Sequence, residues 1–218
     1  MKPYPSNNKS TAMTVFEVLV VVAIVMILAA VFLPGISSPH HHVSRLSCVN
    51  NLKQVGLAFR LWEGDNGDKY PMAISVTNGG AMELAAAGNA AAVFQVMSNE
   101  LGTPKILLCP DDASGVMATN FTIGFTGQNS SYFAGVDATE TNVQMLLSGD
   151  DNLEINGLPV KFGLVEFSTN APINWSATRH KFAGNIAFAD GSVQQFSQAG
   201  LQQAVAQTGV ATNRLAVP

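Results

Sequence analysis

From Val18 to Leu33 the chain runs sixteen residues, VLVVVAIVMILAAVFL, without one polar side chain. Extending back to Met13 gives 21 residues, interrupted only by Thr14 and Glu17. About 20 helical residues cross a hydrocarbon layer roughly 30 Å thick, so the pattern predicts a membrane helix over about 13–34. Two plainer readings compete with it. One is a buried core helix; the other is a cleaved secretory signal, whose apolar core runs about 7 to 15 residues. Pro34, Gly35 and Pro39 then predict a kink or break, because proline removes a helix donor and crowds the preceding turn. Beyond them Val43, Leu46, Val49, Leu52, Val55, Phe59 and Trp62 recur at three- and four-residue steps, the period of a helix with one buried stripe. The turn-rich run Glu63-Gly64-Asp65-Asn66-Gly67-Asp68 ends that helix. Residues 13–63 therefore read as one long stalk, bent near Pro34–Pro39.

From residue 64 to residue 218 the chain reads as a separate head of short strands and helices. Asn89 to Leu101 has a helical stripe stopped by Gly102 and Pro104, and Lys105 to Cys109 reads as a buried strand closed by Pro110-Asp111-Asp112. Asn120–Thr126, Ser131–Val136, Gln144–Leu147 and Pro159–Phe167 supply further strands, and Leu201–Ala206 a short helix. The clearest hairpin joins Asn185–Ala189 to Ser192–Phe196 through Asp190-Gly191. A two-residue turn there aligns Phe188 with Val193 and sets Phe196 opposite Asn185.

Charge narrows the function. Only 12% of the 218 residues are charged, and a net charge of -4 with 11 Lys+Arg argues against a nucleic-acid binder that neutralises phosphates. Two cysteines exclude a disulfide-dense scaffold or a four-thiolate zinc site. Cys48 on the stalk and Cys109 in the head are either a bridge across a long loop or two separate buried thiols. His40, His41 and His42 point about 100° apart on a helix, which favours a solvated collar over a metal site or pH sensor. A carboxylate inside a membrane segment costs about 2.5–3.5 kcal/mol and needs a partner. Glu17 is that residue unless it lies at the interface. No nucleophile motif, phosphate-cradling glycine loop or CxxC is present, so no catalytic residue is expected.

Ala12-Met13-Thr14-Val15-Phe16-Glu17 followed by the apolar run resembles the processing site of type IV prepilins and type II secretion pseudopilins. The segment SCVNNLKQVGLAFRLWEGDNGDKYP resembles the corresponding part of the prepilin-type family with an H-X9-DG motif. His180, nine residues and Asp190-Gly191 match that motif, and the patches DATETNVQMLLSGD, GNIAFADGSVQQF and ATNRLAVP extend the likeness. The family usually has Gly before the cut and Phe after it, where this chain has Ala12 and Met13.

The resemblance implies a pilin-like α+β fold, a long N-terminal helix packed on an antiparallel sheet. It implies a leader of residues 1–12, cut between Ala12 and Met13 by a prepilin peptidase and followed by N-methylation. It implies single-pass anchorage in the inner membrane with the head in the periplasm, an assembly platform as partner, and self-assembly into a secretion or pilus-like filament. Glu17 would meet the free amine of a neighbouring subunit. The alternatives are a membrane-anchored adhesive or minor pilin, and more remotely a tethered periplasmic enzyme. His180 and Asp190 are expected at opposite ends of one extended strand, as a fold signature and not an acid–base pair. No cofactor is expected. Calcium is the one ion to consider, since major pseudopilins have calcium loops, yet Asp65/Asp68, Asp111/Asp112 and Asp150/Asp151 lack the alternating spacing of a twelve-residue calcium loop and read as turn formers.

Overall fold

The computed structural model describes residues 14–32 and 40–218. The chain divides into two compact units, 1–39 and 40–218, which are taken separately.

In the first unit, helix α1 spans Val15–Phe32. Thr14 and Glu17 start it as a reciprocal cap. The Glu17 carboxylate accepts from the Thr14 backbone N–H at 2.9 Å and from its hydroxyl at 3.1 Å, while the Glu17 N–H donates to Thr14 Oγ1 at 3.4 Å. This S/T-x-x-E arrangement satisfies N–H groups that a helix start leaves free. The described side chains of α1 are exposed. Among the described residues no helix is long and apolar enough to cross a membrane; eighteen residues rise about 27 Å, and the expected span of 13–34 begins and ends outside the described residues. Ala12, Met13 and the expected bend at Pro34–Pro39 also lie outside them.

The second unit opens with α2, His40–Asp65. The predicted 13–63 helix is thus described as two helices. The side chains of His40, His41 and His42 lie outside the described residues. The buried face of α2 is Cys48, Leu52, Val55, Phe59 and Trp62, joined by Ala58. Leu46, placed on the stripe by its spacing, is 62% exposed, because two residues before Cys48 is about 200° around the helix.

Two sheets follow, both antiparallel. Strands β1 (Tyr132–Gly135), β2 (Leu146–Asp150), β5 (Gly163–Ser168), β7 (Ala183–Phe188), β8 (Val193–Ser197) and β9 (Thr212–Val217) form one in the order β5-β9-β1-β2-β7-β8. Strands β3 (Leu153–Ile155), β4 (Leu158–Pro159) and β6 (Ile173–Trp175) form the other, in the order β4-β3-β6. Short helices α3 (Met82–Ala86), α4 (Ala90–Val96) and α5 (Ser98–Leu101) precede β1, and α6 (Gln198–Gln207) lies between β8 and β9. The large sheet is buried on both faces. Tyr132, Ala134, Leu147, Ala187, Ala189 and Ala216 belong to the core that holds the α2 stripe. The alternate residues Phe133, Leu146, Ile186, Phe188 and Leu215 pack with Trp175 of β6 and with Leu201 and Val205 of α6. Period-two alternation thus feeds two cores, and the fold is α+β.

Several local expectations fail for identifiable reasons. Lys105–Cys109 is not a strand: Pro104–Leu107 is a 3-10 turn capped by the Thr103 hydroxyl, with Pro104 at its first position. Asn89–Leu101 breaks into α4 and α5 at Met97. Asn120–Thr126 holds no strand, because the Asn120 side chain accepts from the N–H groups of Thr122 and Ile123 and curls the backbone. The hairpin at Asp190 is one residue longer than predicted. Gly191 N–H donates to Phe188 O at 2.8 Å and Phe188 N–H to Ser192 O at 2.9 Å, so the loop has three residues and Gly191 takes φ +82°. Ala187, not Phe188, therefore faces Val193, and Phe196 faces Gly184. Gly184 is needed there, since a Cβ would come within 2.5 Å of the Trp175 ring.

Candidate functional site

The turn between β6 and β7 carries Arg179 and His180, and three consecutive residues, His180, Lys181 and Phe182, have φ of 53°, 52° and 61°. L-residues avoid that region, so such a run persists only where surrounding contacts fix it. The His180 carbonyl accepts from the guanidinium of Arg45 on α2. Its ring is fully buried: Nδ1 is 2.9 Å from Asp111 Oδ2, and Nε2 is 3.4 Å from Cys109 Sγ and 3.7 Å from Asp150 Oδ2. No hydrogen bond joins Nδ1 to Asp111.

The 3-10 turn at Pro104–Leu107 delivers Cys109 to this point, and Cys109 N–H donates to Ser131 Oγ at 3.0 Å. Cys109 is bonded to Cys48 of α2, with Cα atoms 5.3 Å apart. Of the two sequence readings, bridge or separate thiols, the structure adopts the bridge. It ties α2 to the head beside His180.

Arg179 is buried with its guanidinium between acids. It pairs with Asp151, lies 3.4 Å from Asp112 Oδ2 and donates to Ser131 O at 3.2 Å. Burial pushes the Asp112 carboxyl up, but the Ser114 hydroxyl, the Arg179 charge and the Ser131 hydroxyl together hold it below the usual carboxylate range. Asp150 goes the other way. It is wholly buried, and desolvation raises its carboxyl against the pull of His180, Arg179 and Asn185. Its Oδ2 accepts from Asn185 N and Nδ2 at 2.7 and 2.8 Å, while Oδ1 has no hydrogen-bond partner.

The acidic pairs Asp111/Asp112 and Asp150/Asp151, expected as turn formers, therefore converge on Arg179 and His180. Asp112 does both, since its Oδ1 also accepts from Ser114 N–H at 3.0 Å. Nothing in the sequence signals the convergence: Arg179 adjoins the motif histidine, but its acids lie 28 to 68 positions away. Cys109, His180 and Asp111 stand in the order of a nucleophile, base and orienting acid. The Cys109 sulfur, however, is buried and bonded, and a bonded sulfur is no thiolate.

At the other end of β7, the Asp190 carboxylate accepts from Ser192 N–H at 2.8 Å and fixes the turn. Gly191 lies against α2: a Cβ on Gly56 would meet Gly191 O at 3.4 Å, and one on Gly191 would meet Arg60 Cγ at 3.4 Å. Tyr70, just past α2, donates its phenol to Ala189 O at 2.5 Å. The strand between His180 and Gly191 is thus fastened to α2 at both ends, at Arg45 and at Gly56/Arg60. Glu17 lies in the other unit.

An open recess of about 860 Å³ lies beside the cluster, with Asp112, Asp151, Ser114, Phe162 and Pro218 among its walls. A smaller one, about 460 Å³, is bounded by Arg45, Asp111, Arg179, His180 and Lys181. No family model matches the chain, and no curated protein or solved structure is similar to it.

Proposed function

We propose that the chain is a structural subunit of a type II secretion or type IV pilus-like filament, anchored and assembled through its apolar N-terminal helix after removal of residues 1–12. The observation that carries this reading is the double fastening of β7 to α2, reinforced by the Cys48–Cys109 bond. A subunit under axial load must pass force from its stalk to its head without the two separating, and this arrangement resists that separation at three levels along α2. The exposed apolar side chains of α1 support the same reading, because a patch of that size wants lipid or other copies of the helix around it.

Glu17 specifies register in the filament by meeting the amine of a neighbour, and caps its own helix in the isolated chain. The variant E17Q separates the two roles, since glutamine also serves in a capping box but carries no charge. Filaments should be lost in E17Q, while the helix content of the detergent-extracted protein stays unchanged. Intact mass of the membrane-extracted chain provides the second readout. A species of 206 residues beginning at Met13 is expected; a chain starting near Ser37, freely soluble and monomeric, overturns the proposal.

A further inference from the structure

Cys48, Cys109 and His180 are all buried, and their ligating atoms lie within 4.8 Å of one another. Two thiolates and an imidazole are the donor set that zinc prefers. Asp150 lies beside the group: its Oδ2 is 3.7 Å from His180 Nε2, and its Oδ1 has no hydrogen-bond partner despite complete burial. A wholly buried carboxylate oxygen without a donor is costly, and a divalent cation is a partner that removes the cost.

We propose that the reduced chain binds one thiophilic divalent cation, zinc(II) by chemical class, through Cys48, Cys109 and His180, with the Asp150 carboxylate beside them, so that the bond between α2 and the head is either a disulfide or a metal bridge. A dithiol reductant gives two electrons and two protons and closes its own disulfide; the Cys48–Cys109 bond breaks to two thiols. Metal binding then releases both thiol protons to solvent, leaving two thiolates and a neutral imidazole on the ion. Asn185, which donates twice to Asp150 Oδ2, fixes that carboxylate beside the site. The inference is independent of filament assembly.

Cobalt(II) is the probe, added anaerobically to the full chain in mild detergent after reduction with a dithiol and removal of the excess. One equivalent should bind with a thiolate-to-cobalt charge-transfer band, displaced by zinc, and the oxidised chain should show no such band. H180Q should weaken binding by about tenfold or more, and C48S should abolish the band. Reduction itself loosens the fold, so a second measurement accompanies the titration: zinc should restore the tryptophan fluorescence and raise the Tm of the reduced wild type but not of reduced H180Q. Absence of binding by the reduced chain, an undiminished band in H180Q, or failure of zinc to shift the Tm overturns the proposal.

Discussion

His180 sets its Nδ1 2.9 Å from Oδ2 of Asp111, which places the motif histidine against the segment that follows Cys109 and not against Asp190 ten residues further on. Its opposite nitrogen reaches the sulfur of Cys109, and its carbonyl is held by Arg45. One residue therefore joins three remote stretches of sequence: the stalk helix, the cysteine turn and the strand that starts at Ala183. The motif is a length specification. Nine intervening residues carry β7 from the disulfide end of α2 to Gly56 and Arg60, where the Asp190-Gly191 turn docks.

Removing the bridge should lower stability substantially. The bond closes a loop with a sequence separation of 61, for which the chain-entropy argument gives about 4 kcal/mol. For a chain of this size that corresponds to a fall in Tm of about 8–16 °C. Differential scanning calorimetry of C109S and of C48S, without metal, should give equal shifts. A shift below about 2 °C would show that the two sulfurs contribute only as buried apolar groups.

Arg179 is buried among Asp112 and Asp151, so R179M leaves two acids without their cation. Breaking one side of a buried pair costs about 3–5 kcal/mol. R179K should recover only part of this, because an ammonium cannot span both carboxylates and Ser131 O in one plane. Urea unfolding of both variants measures the difference; equal midpoints for R179K and wild type would mean that charge alone, without the fork, suffices.

Most of the α2 stripe, strands at β1, β2 and β7 and a turn at Asp190 are legible because each is a local period, run or dipeptide; the third loop residue, which shifts the hairpin register by one, is not. The two-core arrangement was not, since the residues that pack on the far face, Trp175, Leu201 and Val205, come from β6 and α6, neither of which marks its partner. Lys105–Cys109 reads as a strand because four of its five residues are apolar, yet Thr103 and Pro104 dictate a helical turn first. The charged cluster was invisible for a related reason. Its acids read from the sequence as ordinary turn formers, and only the strand pairing that sets Tyr132 opposite Asp150, at the end of β2, brings them together.

Gly191 holds φ +82° in the three-residue loop, a conformation that costs an L-residue about 1–2 kcal/mol. G191A should lower stability by about that amount, and G191N by less, because asparagine tolerates the left-handed region. Neither substitution touches the disulfide end of β7. Hydrogen exchange should then show loosening confined to the Asp190 turn and the facing part of α2 near Gly56; loosening that extends to Cys48 would mean that the two fastenings act as one unit.

Asp112 and Asp150 shift in opposite directions, and their pH signatures follow. Asp112 is held below its ordinary value by Ser114, Arg179 and Ser131, so its contribution is full above the unfolded-state value and is lost as pH falls through the folded one. Asp150 is raised by burial, so its contribution is full below the unfolded-state value and is lost as pH rises through the folded one. D112N should therefore be less stable than wild type at neutral pH, by about 1–3 kcal/mol, with the gap closing under acid conditions. D150N keeps an acceptor for Asn185 and removes the buried charge; in the oxidised, metal-free chain its Tm should match wild type at about pH 3 and exceed it at about pH 8. Thermal melts of the two variants across that range decide the matter, since parallel curves for D150N and wild type would show that His180 and Arg179 neutralise Asp150 completely.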